Sequence, residues 1–94
     1  MARRSNERKL NDVRTRLMRA RDELAVIDEQ LATLQEAADE ARIRSLVSET
    51  PVAEREWQEA SRHADVMSKS QVSARLRIEE LERTEHELLA RLAV

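Results

Sequence analysis

Stepping alternately three and four residues from Leu10 lands on an apolar side chain ten times in succession: Leu10, Val13, Leu17, Ala20, Leu24, Ile27, Leu31, Leu34, Ala38 and Ala41. That spacing is the a/d stripe of a heptad repeat, which keeps one face of an α-helix against a partner helix. The stripe fades at Ser45 and Ser48. It resumes at Ala53 and continues through Trp57, Ala60, Ala64, Met67, Gln71, Ala74, Ile78, Leu81, Glu85, Leu88 and Leu92, with Gln71 and Glu85 as its polar members.

Between the stripes lies Ser48-Glu49-Thr50-Pro51. A threonine hydroxyl can accept a hydrogen bond from a free N–H of a helix's first turn. Proline suits the first helical position and disfavours helical geometry at the residue before it. The pattern therefore predicts one domain, residues 1–94, with helix one over about 6–47, a turn at 48–50 and helix two over about 51–92. So short a turn makes the helices antiparallel neighbours. The expected fold is all-α, an antiparallel two-helix coiled-coil hairpin, with arms of roughly 60 Å at 1.5 Å per residue.

A mirror register tests this expectation. If residue i faces residue 98 − i, Leu10 meets Leu88, Leu17 meets Leu81, Ala20 meets Ile78, Leu24 meets Ala74, Leu34 meets Ala64 and Ala41 meets Trp57. Large side chains then tend to face small ones, as close packing prefers. Gln71 and Glu85 fall opposite Ile27 and Val13, where a polar residue can set register at some cost in stability. On the flanks the same register brings together Arg14 and Glu82, Asp28 and Arg75, Arg42 and Glu54, Glu23 and Arg77, and Arg44 and Glu56. All five are opposite in sign.

Apolar residues also lie off the stripes: Met18, Val26, Ile43, Leu46, Val66, Val72, Leu76 and Leu89 among them. Scattered exposure of this kind is ordinary. A second stripe would let two hairpins pair into a four-helix bundle, so a homodimer is one expected assembly.

Composition narrows the functional classes. The 94 residues contain no glycine, no cysteine and one proline, and 38% are charged. Disulfides, thiolate metal sites and thiol nucleophiles are excluded. No glycine-rich phosphate loop is present, and a two-helix hairpin encloses no pocket, so the chain reads as a non-enzyme with no cofactor. No segment approaches the ~20 apolar residues of a membrane span, and the N-terminus lacks the apolar core of a secretory signal. A cytoplasmic location and no membrane partner are expected. Basic residues are nearly all arginine, which with the many alanines suggests a bacterial source of high GC content.

Three groups of residues are candidates for function. Leu46, Val47 and Val52 form an apolar turn, and Trp57 lies one turn further on; together they are the expected docking site for a protein partner. Trp57 also reads as a filler of the space beside Ala41. Residues 1–21 carry eight Arg or Lys against Glu7 and Asp12, a formal +6. Within them Arg3, Arg4, Arg8, Lys9 and Arg14 could contact phosphates, which makes nucleic-acid binding the alternative reading. An overall net charge of −2 and an arm without aromatics argue against it. His63 and His86 are the only imidazoles. His86 stands four after Glu82, too few ligands for zinc.

The runs RLMRARDELAVIDEQL and ARIRSLVSETPVAEREWQEASRHAD resemble small coiled-coil proteins of actinobacteria. The resemblance covers nearly the whole chain and implies a helical hairpin with no assigned activity to carry over. By architecture the chain is similar to the hairpin anti-sigma factor that clasps its sigma factor with cyclic di-GMP, but the Glu-x3-Ser-x2-Arg-x3-Gln-x3-Asp motif of that protein cannot be laid on this sequence. RNA polymerase secondary-channel factors also carry hairpins with acidic tips; here the turn offers Glu49, Glu54 and Glu56 and no paired aspartates. The expected role is a protein–protein interaction or regulatory module, with transcription regulation implied by this analogy alone.

Overall fold

In the computed structural model the chain is two α-helices, α1 (Ala2–Ser48) and α2 (Pro51–Leu92). The structure describes residues 2–93; the two outermost residues of the expected domain lie outside it. α1 begins upstream of Asn6, because Ala2–Ser5 contain no helix breaker and Arg3 forms an i,i+4 ion pair with Glu7 at 3.3 Å. The fold is an all-α helical hairpin.

The turn occupies only Glu49 and Thr50. Glu49 adopts a left-handed conformation, φ 51°, and its N–H donates to the Ser45 carbonyl at 3.0 Å. This is the single-bond αL form of helix termination. Glycine normally takes that position; a glutamate there carries a steric cost of roughly 1–2 kcal/mol. Thr50 then caps α2, its Oγ1 accepting from the Ala53 N–H at 3.2 Å. Pro51 follows as the first helical residue, where its missing N–H removes no bond.

The stripe positions of both helices are buried or half-buried without exception, from Leu10 to Ala41 and from Ala53 to Leu92. The off-stripe residues Met18, Val26, Ile43, Leu46, Val66, Val72, Leu76 and Leu89 are all exposed. The two sets separate because a lone partner helix covers only the narrow a/d face.

The chain divides into two compact units. Unit 1 comprises the chain up to Leu24 and from Ser73 onward. Its core is branched and aliphatic: Leu10, Val13, Leu17, Ala20, Ile78 and Leu88, flanked by Leu24, Leu81 and Leu92. Unit 2 is Ala25–Val72. Its buried residues are Leu31, Ala41, Ala53 and Ala64, with Trp57 and Met67 half-buried beside them. Alanine contributes little apolar area, so the larger burial term per residue lies in unit 1.

Cross-helix polar contacts depart from the flank pairs read in the sequence. Among the described residues none of the five expected pairs closes to ion-pair distance. Arg14 instead meets Glu85 at 3.2 Å, Asp28 accepts from Gln71 Nε2 at 2.6 Å, and Arg42 lies over the Trp57 ring at 5.9 Å. Each flank residue of α1 has taken the α2 residue that the mirror register places opposite its stripe neighbour: Val13, Ile27 and Ala41 respectively. For the two polar stripe residues, Glu85 and Gln71, the reason is desolvation. A carboxylate or amide pointed into an apolar stripe must find a partner, and the nearest polar side chain is the one at the edge. Glu82, left by Arg14, lies 3.9 Å from Arg21.

Two outcomes follow. Leu17, 1% exposed, should lose about 3 kcal/mol of stability on replacement by alanine, within the range for buried leucines, as measured by urea unfolding followed by circular dichroism. Glu49→Gly should raise stability by about 0.5–1 kcal/mol by relieving the left-handed backbone. A lowered midpoint for Glu49→Gly would contradict the assigned turn geometry.

Candidate partner-docking surface

The apolar residues singled out at the turn lie in unit 2 and project outward. Leu46 is 67% exposed, Val47 79% and Val52 56%. Ile43, 61% exposed, joins them, since Ile43, Leu46 and Val47 stand at i, i+3 and i+4 on the last turns of α1 and share one face. That face continues backwards as Asp39 and Glu40, both exposed and in no ion pair among the described residues. In the sequence Ile43 falls among the apolar residues scattered off the stripes. Its membership of this face was available from the i, i+3, i+4 spacing.

Trp57 does not join the exposed set. It is half-buried at a stripe position beside Ala41, with the Arg42 guanidinium over its ring. The cation covers one face of the ring. As it stands, the aromatic surface is largely committed within unit 2.

The basic arm belongs to unit 1. On a helix, where successive residues are rotated by roughly 100°, Arg3, Arg4, Arg8, Lys9 and Arg14 fan around more than half of the circumference. Arg3 is paired with Glu7 and Arg14 with Glu85. Arg4 and Arg8 line a shallow depression that also holds Glu7 and Asn11. The five cations therefore do not make one continuous face.

The remaining polar groups are mostly local. Thr15, Thr33, Ser70 and Thr84 donate back to the carbonyls four residues earlier, at 3.0–3.3 Å, the ordinary behaviour of hydroxyls on a helix surface. Among the described residues no group of three or more His, Asp or Glu is arranged to hold a metal ion, and no helix is long and apolar enough to cross a membrane. In unit 2 a groove of about 490 Å³ is lined by Glu29, Gln30, Thr33, Leu34 and Met67, and no acid–base or nucleophilic pair converges on it.

Fold and surface together define a helical hairpin with an exposed apolar turn. No family model, curated protein or solved structure matches the chain.

Trp57 is the sole tryptophan, so its emission reports on this end of unit 2 alone. Arg42→Ala should uncover the ring. The expected result is a red-shifted emission maximum and stronger acrylamide quenching, with a stability loss of about 0.5–1 kcal/mol. Unchanged quenching would mean that Arg42 does not cover the indole in solution.

Proposed function

We propose that the chain is a non-enzymatic interaction module that docks a protein partner through the apolar face at its turn. The observation that carries this reading is the clustering of Ile43, Leu46, Val47 and Val52, each more than half exposed, around a single turn. Apolar residues scattered singly need no explanation, whereas a contiguous exposed set marks an interaction surface. The face combines apolar residues with Asp39 and Glu40 on the adjoining turn, which suits a helical partner segment carrying apolar anchors and basic neighbours. Removal of these side chains from water would supply the affinity, and the carboxylates would favour one orientation over others.

A photo-activated crosslinking residue placed at position 47 tests this in cells that express the full chain. The expected result is one dominant adduct, lost when Leu46→Glu is introduced. The same residue at position 87, an exposed charged site in unit 1, should not form it. If the adduct is a second copy of the chain, light scattering on the pure protein will give a dimer mass that Leu46→Glu reduces to a monomer. Equal labelling from positions 47 and 87, or none from 47, would remove the reading.

A further inference from the structure

On one flank of unit 1, a groove of about 410 Å³ is lined by Arg16, Arg19, Ala20, Glu23 and Arg77. Three arginines from two helices, with Glu23, therefore border one depression. The placement follows from the repeat. Arg16 and Glu23 stand one heptad apart at the edge of the α1 stripe, Arg19 precedes the buried Ala20, and Arg77 precedes the buried Ile78 on α2. Ala20 forms the floor, and its single methyl leaves open the space that a leucine would fill.

The sequence pairs Arg77 with Glu23, but the two do not close to ion-pair distance. Arg16 is held by Asp12 on its own helix at 3.2 Å. Arg19 and Arg77 have no ion-pair partner among the described residues. Surface arginines ordinarily spread into solvent and are screened there. Here they share a concavity, where like charges repel until an anion enters. Guanidinium forks match the oxygens of phosphate and can bond them in pairs.

We infer that this groove is a phosphate-binding site, with Arg19 and Arg77 as the principal ligands, Arg16 as a supporting charge and Glu23 as an opposing one. It lies wholly in unit 1 and does not depend on the docking surface of unit 2. The recognised chemistry, a phosphate group, is shared by free phosphates and by the backbone of a nucleic acid.

Calorimetric titration of the full chain with sodium pyrophosphate, and separately with a short DNA duplex, at low and matched ionic strength distinguishes these sources. One ligand per groove should bind. Arg19→Gln and Arg77→Gln should each weaken binding by about tenfold or more, the loss expected for one charge-assisted contact. Glu23→Gln should tighten it by a few-fold, and Arg44→Gln, in unit 2, should leave it unchanged. Circular dichroism checks that each variant keeps its helices. Binding of pyrophosphate but not duplex assigns the groove to free phosphates, and Arg19- and Arg77-dependent binding of duplex assigns it to the nucleic-acid backbone. The inference is overturned if neither ligand binds, if the Arg19 and Arg77 variants bind as the parent does, or if chloride at equal ionic strength gives the same response.

Discussion

Burial of one 3-4 stripe on each helix is the interaction on which everything else in this chain depends. The large apolar residues off the stripes are exposed, and isolated helices draw little stability from propensity alone. Leu10, Val13, Leu17, Ile78 and Leu88 show the consequence in unit 1, where a packed aliphatic core forms. In unit 2 five of the eleven stripe positions are alanine, and Ile27, Leu31, Leu34, Trp57 and Met67 supply the bulk. Alanine permits close approach of the backbones while removing little apolar area from water. The two units thus follow one rule of packing with different side-chain volumes.

The polar members of the stripe explain the pattern of cross-helix bonds. Glu85 retains 26% side-chain exposure beside its partner Arg14; neither it nor Gln71 is left as a buried orphan, and no buried unpaired side-chain polar atom occurs among the described residues. Such contacts add little net stability where water still reaches them. Their effect is on register. A shift of α2 along α1 would carry Glu85 and Gln71 past leucine and isoleucine without their partners, at the cost of an uncompensated polar group. Arg14 and Asp28, two heptads apart, place that penalty once in each unit.

Much of the fold was legible because it rests on periodicity. The stripe, the Thr50 cap and the Pro51 start are properties of residue type and spacing, and each appears where the spacing puts it. The polar contacts were not legible to the same degree. Heptad bookkeeping pairs flank with flank, yet long side chains at the stripe edge choose among several neighbours by reach and desolvation. Arg14 choosing Glu85 over Glu82 depends on a few ångströms of side-chain extension that a repeat does not encode. The left-handed Glu49 was hidden for another reason: with no glycine in the chain, the usual marker of that conformation is missing. The arginine groove is hidden in the sequence because the repeat sets Glu23 opposite Arg77 without fixing whether their charges meet.

The exposed residues at the turn pose a different physical question from those of the stripe. A single partner helix cannot reach the outer face of α1, so Ile43, Leu46 and Val47 add nothing to the closure of the hairpin. In the folded chain they leave apolar area in water, which favours association over solubility. Helix propensity does not require them either, since isoleucine and valine rank below alanine, glutamate and arginine, the residues used freely elsewhere on these helices. Neither the core nor the helix therefore accounts for an apolar face at this position. A surface that removed it from water would, and this supports the docking face proposed for the turn of unit 2.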